Sequence, residues 1–444
     1  MSVRYQPAGR TAVEIVESVE AGVREGFLAP GELLPPVRDL AAAAGVSPGT
    51  VAAAYRLLRG RGVTLGDGRR GTRIRERAAV TGRAADAAEL PAGVVDCSTG
   101  NPDPALLPDL GPLLHRARYE KVLYGAAPCL PELAEAARAR LDRDGVPLEE
   151  VTATFGTLDA IERALASRLR PGDRVAVEDP GWAALLDLVT AAGWIPAPVG
   201  VDDEGPVPAS LERALARGTR AVVLTSRAQN PTGASISEPR ARQLRSLLGT
   251  YPDVTVLEDD HGGGIVGAPL QPVVGSTRHW AFVRSAAKAY GPDLRVAVVA
   301  GDEATIRRID ARLALGAGWV SHFIQRLLLD LWQDPEIDAQ LGLAVRGYDA
   351  RRLALLGALR DRGVVARGSS GLNCWIPVDD EAATVGALLR ADWLVAPGSR
   401  FRLGSPPAIR VTTAALGVDR APEVAAAIGA ALGGARSSGA RRLT

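Results

Sequence analysis

Apolar residues recur at helical spacing at the start of the chain. Ile15, Val16, Val19 and Val23 lie three or four residues apart, which predicts a first amphipathic helix. The stretch VRDLAAAAG follows two prolines and ends at Gly45, a residue suited to ending a helix. Two helices are therefore predicted before residue 46.

A third helix is predicted over SPGTVAAAYRLLRGRG. Ser47 is a good N-cap, and Pro48 suits the first helical position. Val51, Tyr55 and Leu58 would form its buried stripe. Two helices joined by a four-residue turn match a helix-turn-helix, whose second helix enters the major groove of DNA.

Positive charge is concentrated in this first region. Residues 1–77 carry twelve arginines against eight acidic residues, a net charge of +4, whereas the whole chain has a formal net charge of +1. The segment GDGRRGTRI predicts a hairpin with Arg69 and Arg70 at its tip, a candidate wing against phosphates. A basic three-helix module that binds no DNA is the alternative. Residues 78–93 have no clear amphipathic period and are interpreted as a linker.

From residue 94 onward, short apolar runs alternate with helical stretches. This alternation predicts an α/β fold, with a mostly parallel sheet covered by helices. We place a large part at about 140–335, a smaller C-terminal α+β part at about 336–432, and a disordered tail at 433–444. The runs predicted as strands are 174–179, 221–226, 254–259, 280–285 and 295–301.

Composition excludes several classes of protein. The chain is 47% hydrophobic and 23% charged, which is ordinary for a globular protein with a large core. No apolar run approaches the roughly 20 residues that span a membrane, and the first residues lack the apolar centre of a signal peptide. Cys97, Cys129 and Cys374 are far apart, and the four histidines form no metal-ligand pattern. We therefore expect a cytoplasmic protein with no metal site and no membrane partner.

Lysine is almost absent from this chain. Lys121 and Lys288 are the two lysines among 52 basic residues. Arginine makes ion pairs and phosphate contacts as well as lysine or better, whereas a Schiff base with an aldehyde needs a primary amine. Lys288 follows a predicted strand, at the edge where open α/β sheets bind ligands. An incidental surface lysine is the alternative.

The motifs at the other strand ends, taken in order, resemble those of a known family. RPGDRVAVEDPGW, QNPTG, EDDH, SAAKAYGPDLR and VAPGSRFRLGSPPAIR resemble the fold-type I aminotransferases, which use pyridoxal 5′-phosphate (PLP). Residues 1–77 resemble a GntR-type winged helix-turn-helix. Joined in this order, the two are similar to the MocR subfamily of bacterial transcription regulators.

The resemblance implies a role for each matching residue in the cofactor site. Lys288 would form the Schiff base with PLP, and Asp259 would keep the pyridinium nitrogen protonated. Asn230 would bond the phenolate oxygen. His261 stands where the family usually has a tyrosine that donates to that same oxygen, and histidine could donate too. A metal site at EDDH is a weaker alternative.

The phosphate, the ring face and the ligand carboxylate are also assigned by resemblance. Trp182 matches an aromatic that stacks on the pyridine ring, and Tyr124 matches a tyrosine that reaches the phosphate of a neighbouring subunit. Arg410 matches the arginine that grips a ligand carboxylate. The residues expected to hold the phosphate are Gly156, Thr157, Ser285 and Arg295.

On the DNA side, Arg38 matches a phosphate-contacting arginine of the family. Pro48 and Gly49 depart from the usual sequence, which has an arginine and a polar residue at these positions. The candidate DNA-binding residues are Arg38, Ser47, Thr50, Tyr55, Arg59, Arg69 and Arg70.

Three functions remain open at this point. The chain could be a PLP-dependent transcription regulator that binds double-stranded DNA and senses PLP or a small amino-acid or amine effector. It could instead be a working aminotransferase with an accessory N-terminal module, or a DNA-binding protein whose second half has lost PLP. In each case we expect a homodimer, because fold-type I sites are commonly shared across a dimer.

Overall fold

The computed structural model describes residues 5–24, 27–29, 31–60, 63–66, 71–74, 93–116 and 120–440. Contacts divide the chain into two compact units. One comprises Met1–Gly82 with the short segments Leu169–Arg174 and Val189–Ile195, and the other comprises the rest. Arg69 and Arg70, the residues predicted at the tip of the wing, lie outside the described residues. Residues 78–92 of the predicted linker do so too.

The N-terminal unit contains the three predicted helices and a hairpin. The hairpin pairs two antiparallel strands with Thr64 opposite Ile74. Gly45 ends the second helix in the left-handed conformation at φ 67°, as predicted. The elements are α1 (Ala12–Arg24), α2 (Val37–Ala44), α3 (Pro48–Gly60), β1 (Thr64–Gly66) and β2 (Thr72–Ile74).

The two ends of α3 and its buried face follow from particular side chains. The Ser47 hydroxyl accepts a hydrogen bond from the Thr50 amide at 3.1 Å, which confirms the N-cap. Val51, Tyr55 and Leu58 are buried against α1 and α2. Tyr55 is 3% exposed, and its hydroxyl donates to the Pro35 carbonyl at 2.7 Å. Tyr55 is therefore a core residue, and its expected contact with DNA is corrected.

The larger unit contains an eight-stranded sheet and a four-stranded sheet. Its strands are β3 (Val95–Cys97), β4 (Glu150–Thr154), β5 (Arg174–Asp179), β6 (Ile195–Asp202), β7 (Gly205–Pro206), β8 (Thr219–Thr225), β9 (Thr255–Asp260), β10 (His279–Ser285), β11 (Ala297–Gly301), β12 (Asn373–Pro377), β13 (Trp393–Pro397) and β14 (Ala408–Thr412).

The eight-stranded sheet has the order β4-β11-β10-β9-β8-β5-β6-β7. Strands β8, β9 and β10 are parallel, whereas β11 is antiparallel to both of its neighbours, β10 and β4. Every residue of β9 and of β11 is buried, because helices cover the sheet. The predicted strands were right to within two residues at each end, and β5 spans the predicted residues 174–179.

Helices surround both sheets of the larger unit. They are α4 (Gly111–Arg116), α5 (Pro131–Arg143), α6 (Thr157–Ala166), α7 (Ala183–Ala191), α8 (Pro208–Leu215), α9 (Glu238–Gly249), α10 (Ala287–Tyr290), α11 (Glu303–Ala314), α12 (His322–Gln333), α13 (Pro335–Arg360), α14 (Glu381–Arg390) and α15 (Ala421–Ala440). None of the described helices is both long and apolar enough to cross a membrane.

The smaller sheet has the order β12-β14-β13-β3. Its edge strand β3 pairs in parallel with β13, so residues 95–97 belong to a part that we expected to consist of residues 336–432 only. Helix α15 extends to Ala440, through most of the segment that we expected to be a disordered tail. The remaining residues, 441–444, are not described.

The core position of Tyr55 can be tested with Tyr55→Phe. Loss of the bond to the Pro35 carbonyl should lower the opening free energy of α3 by about 1 kcal/mol, measured by hydrogen exchange on the full chain. Affinity for DNA should stay within about twofold, because the hydroxyl is not exposed. Unchanged exchange together with a clear loss of DNA affinity would contradict this assignment.

Candidate cofactor and DNA-binding sites

The parallel strands bring the predicted site residues to one edge of the large sheet. Register pairs Thr225 of β8 with Asp259 of β9, and Asp259 with Val283 of β10. The segments that continue beyond these residues carry Asn230, His261 and Lys288. Three of the predicted chemical groups therefore follow neighbouring strands at their carboxyl ends.

Asp259 is buried near the end of β9, and among the described residues its side chain has one hydrogen-bond partner. Its Oδ2 lies 2.9 Å from Nδ1 of His261, whereas its Oδ1 is buried without a hydrogen-bond partner. The other ring nitrogen of His261, Nε2, lies 3.0 Å from the carbonyl oxygen of Ala228. Burial by itself lowers the pKa of His261, but the Asp259 carboxylate more than offsets this and raises it.

Lys288 lies on the short helix α10 and is partly buried. Its Nζ donates to the carbonyl oxygen of Gly100 at 2.7 Å. Burial and the nearby positive charge of Arg410 lower the pKa of Lys288 to about 8, despite the opposing effect of Asp259. The amine is therefore much closer to its neutral, nucleophilic form at physiological pH than an ordinary lysine.

The residues predicted to hold a phosphate meet where β4, β11 and β10 lie side by side. Register aligns Ser285 with Ala297 and Ala297 with Thr154. Helix α6 begins at Thr157, just beyond β4, so its first amides lie at this end, where the N-terminus of a helix favours an anion. The Thr157 hydroxyl oxygen is buried and has no hydrogen-bond partner.

Arg295 and Gly156 complete this end of the sheet. Arg295 has a left-handed backbone at φ 47° and donates through Nη2 to the Phe155 carbonyl at 3.2 Å. Gly156 has a φ of 90°, a backbone conformation that favours glycine. Both residues thus lie beside the N-terminus of α6, as an anion site requires.

Gln229 builds the loop that carries Asn230. Its amide nitrogen donates to Glu178 at 3.0 Å and to the Pro180 carbonyl at 2.9 Å, and its oxygen accepts from Thr232. Position 233 requires glycine, because a Cβ there would lie 2.7 Å from the Ser370 carbonyl oxygen, closer than atoms can approach. The loop therefore packs closely against the segment that contains Ser370. The QNPTG motif is therefore a structural turn as well as a carrier of Asn230.

Arg410 reaches Asn230 from the smaller sheet. Its Nη1 donates to Asn230 Oδ1 at 3.0 Å, and its Nη2 donates to the Ser98 carbonyl oxygen. The side chain is buried and stacks over Phe401 at 4.5 Å from the ring centroid. Because arginine only donates, the Asn230 oxygen must face Arg410, and its NH₂ group remains for another acceptor.

Two predicted site residues, Trp182 and Tyr124, make none of the hydrogen bonds described above. Trp182 follows β5 and is partly buried, at the same edge of the sheet. Tyr124 is 96% exposed, with its ring edge against Trp319 at 5.9 Å between centroids. Within the described part of the chain, Tyr124 therefore stands apart from the other predicted site residues.

Sequence reasoning missed two contributors to the site. The segment after β3 supplies the carbonyl oxygens of Ser98 and Gly100 that bind Arg410 and Lys288. Asp179 at the end of β5 accepts from the amides of residues 403–405 at 2.8 to 3.0 Å and from the Ser405 hydroxyl at 2.8 Å. The Gly-Asn-Pro sequence after β3 is a turn signal for the first, whereas nothing local in the VEDPGW motif marks Asp179.

The residues at this edge fit PLP. A buried carboxylate oxygen and a buried hydroxyl that lack partners are costly, so each is suited to a group that binds there. Asp259 Oδ1 can accept from a protonated ring nitrogen, and Thr157 can donate to a phosphate. Lys288 supplies the amine for the aldehyde. Among the described residues no cluster of three or more His, Cys, Asp or Glu side chains could hold a metal ion.

The candidate DNA-binding residues divide by exposure. Arg38 on α2 and Arg59 on α3 are exposed, and Ser47 lies exposed at the start of α3. Thr50 is half-buried, and its hydroxyl lies 2.9 Å from that of Ser47. The unit therefore exposes two arginines and the N-terminus of the helix predicted to enter the major groove.

Two family profiles match the chain. Residues 100–428 match the family described as "Aminotransferase class I and II". Residues 11–74 match the family described as "Bacterial regulatory proteins, gntR family". The two matches correspond to the unit that carries Lys288 and to the unit that carries the helix-turn-helix.

Individual proteins agree with these matches. The chain is 42% identical over 428 residues to the vitamin B6 salvage pathway transcriptional repressor PtsJ of Salmonella typhimurium, covering 96% of this chain and 99% of that one. It is 27% identical over 275 residues to the pyridoxine biosynthesis transcriptional regulator PdxR of Corynebacterium glutamicum, covering 59% of each. The crystal structure of Pyrococcus horikoshii kynurenine aminotransferase superposes with a TM-score of 0.69 at 21% identity, covering 77% of this chain and 91% of that one.

The lowered pKa of Lys288 gives a direct pH test. In the Lys121→Arg variant Lys288 is the sole lysine. Its acylation rate in the PLP-free protein should rise with pH through a midpoint near 8, because the neutral amine is the reactive form. Mass spectrometry of the peptide that contains residue 288 would measure the rate. A midpoint near the ordinary lysine value of about 10.4 would contradict the described surroundings of the amine.

Proposed function

We propose that this chain, which belongs to the MocR-type regulators of the GntR family, represses transcription of genes for vitamin B6 salvage according to its occupancy by PLP. Its GntR domain binds DNA, and its aminotransferase-like domain takes PLP as cofactor. The named role of the Salmonella relative, which matches over nearly the whole length of both chains, supports the choice of target genes.

One observation carries the cofactor part of this proposal. Lys288, with its pKa lowered to about 8, lies on the helix that follows β10, and the neighbouring strand β9 carries Asp259 and its unpartnered oxygen near its end. In a chain with two lysines, this lysine has the surroundings that activate an amine. Arginine could replace it as a cation but could not form a covalent bond with the aldehyde of PLP.

The chain supplies the groups that recognise each part of the cofactor. PLP, when bound, brings an aldehyde that condenses with a primary amine and a ring that withdraws electrons when its nitrogen is protonated. Asp259 would hold that proton at the nitrogen. Thr157, Arg295 and the amides at the start of α6 would bind the phosphate dianion, and Trp182 would cover the ring.

The readout on DNA rests on the N-terminal unit. Arg38 and Arg59 are exposed and would bind phosphates on either side of the groove that α3 enters. We propose that the PLP-bound protein is the form that binds the operator, because repression of salvage is useful when PLP is plentiful. Carboxylate-bearing effectors would reach Arg410 in the same site.

We further propose that the protein is a cytoplasmic homodimer. The exposure of Leu123 and Tyr124, at 79% and 96%, supports this proposal, since large apolar side chains in that state commonly contact a partner. Two winged helices in one dimer would read two half-sites of a DNA duplex.

PLP binding can be tested by absorbance. The wild-type protein should become yellow on titration with PLP, Lys121→Arg should do the same, and Lys288→Ala should lose the visible band, because its side chain has no amine. The matched pair of lysine variants separates a specific bond from random amine modification. A wild-type protein that stays colourless, or a band that persists in Lys288→Ala, would refute the proposed role of PLP.

DNA binding can be tested on duplexes from the region upstream of the gene and from B6 salvage genes. Arg38→Gln and Arg59→Gln in the PLP-loaded full chain should weaken binding to all duplexes. Each change should reduce the slope of log K against log salt by about 0.9, the value for one lost phosphate contact. Arg307→Gln, which removes an exposed arginine of α11, is the charge-matched control.

Equal effects of all three arginine variants would contradict a specific DNA face. Binding that does not change when PLP is removed would refute sensing of PLP. Steady formation of a keto acid from an amino acid, without any effect on DNA binding, would favour the aminotransferase alternative.

A further inference from the structure

His261 uses both of its ring nitrogens within the protein. Nδ1 lies 2.9 Å from Asp259 Oδ2, and Nε2 lies 3.0 Å from the Ala228 carbonyl oxygen. We infer that His261 is a positioning residue, which holds Asp259 by Oδ2 so that Oδ1 is left for the ring nitrogen of PLP. The sequence had predicted a different role for His261, as a donor to the phenolate oxygen, and the inference replaces that role. The inference rests on the proposed binding of PLP and not on the proposed target genes.

The Ala228 carbonyl decides where the protons of His261 lie. A carbonyl oxygen only accepts, so Nε2 must carry a hydrogen. The contact between Nδ1 and Asp259 then contains a second proton, which makes it a hydrogen bond within an ion pair. A neutral histidine with its hydrogen on Nδ1 would leave Nε2 facing the carbonyl oxygen with no hydrogen between them. The Ala228 carbonyl therefore fixes the orientation of the imidazole and the hydrogen on Nε2.

Ala228 is itself held in place by the smaller part of the unit. Its backbone is left-handed at φ 55°, which is uncommon for alanine. Its amide donates to the Ser370 hydroxyl at 2.9 Å. A Cβ at Gly371 would come within 2.5 Å of the Ala228 Cβ, so glycine is needed at that position. The carbonyl that anchors His261 is thus fixed from the segment before β12.

Asn230 remains as the donor for the phenolate oxygen. Its Oδ1 accepts from Arg410, so its NH₂ group is the part left to donate. His261 could replace it only by releasing Asp259 or Ala228, and either loss would leave a buried polar atom without a partner. The tyrosine usual in the family donates to the phenolate oxygen of PLP. The histidine at this position instead binds Asp259 Oδ2.

Two substitutions separate the two contacts of His261. In His261→Asn the amide nitrogen takes the place of Nδ1 and keeps the bond to Asp259. In His261→Gln the longer side chain places its amide where Nε2 was, which keeps the bond to Ala228 and releases Asp259. The probe is PLP itself, titrated into the purified full chain, with dissociation constant and visible spectrum as the two readouts.

We expect His261→Asn to bind PLP within about threefold of the wild type, with an unchanged visible band. His261→Gln should bind about tenfold more weakly, as expected for the loss of one hydrogen bond to a charged group, and its band should shift. Equal losses in both variants would point to a merely structural role and overturn the inference. Equal affinities, or a larger loss in the Asn variant, would overturn it as well.

A second comparison guards against misfolding of the variants. In an Asp259→Asn background, His261→Gln should weaken PLP binding by no more than about twofold, because the contact through which it acts is already altered. A full tenfold loss in that background would overturn the inference. The wild-type titration distinguishes the two levels of failure. If the wild type forms no visible band, the proposed binding of PLP is refuted. If the wild type forms the band but the variants do not follow the expected pattern, only the inferred role of His261 is refuted.

Discussion

The site depends on how two adjacent buried carboxylates are neutralised at the end of β9. Asp260 accepts two hydrogen bonds from Arg227, of 2.8 and 3.1 Å. Its Oδ2 also lies 2.6 Å from Arg284 Nε. Burial would raise the pKa of Asp260, but the two arginines lower it. Successive residues of a strand point to opposite faces, so Asp259 faces away from these arginines. It is left with His261 on one oxygen and an open position on the other, which a cofactor can take.

Sequence reasoning predicted the fold, and it selected candidate site residues that lie together at one edge of the large sheet, because both leave local signals in the sequence. Buried parallel strands appear as apolar runs, so the end of β10 and the position of Lys288 after it could be placed. Because the chain has only two lysines, Lys288 could be selected as a candidate for chemistry that needs a primary amine. Partners distant in sequence could not be placed, because Ala228 and His261 are 33 residues apart and their contact depends on strand register. Tyr55 was ambiguous for a related reason: a tyrosine on a recognition helix can face DNA or the core, and the Pro35 carbonyl decides it.

Three residues near the end of β9 belong to one arrangement, which includes the histidine that departs from the family sequence. The two residues before the QNPTG motif are Arg227, which neutralises Asp260, and Ala228, which anchors His261. The histidine in place of a tyrosine is accommodated by the carbonyl of Ala228, and Ala228 is supported by Ser370. A substitution at one of these positions is therefore expected to affect the others, because residues that share contacts are energetically coupled.

The unpartnered atoms of the site also bear on the lifetime of the protein in the cell. Asp259 Oδ1 and Thr157 Oγ1 are buried without hydrogen bonds, and each such group costs about 1–3 kcal/mol of folding free energy. A ligand that binds the folded chain alone shifts the folding equilibrium toward it. Cellular proteases degrade chains from the unfolded or opened state. The abundance of this protein should thus follow the supply of its cofactor, independently of any effect on DNA affinity.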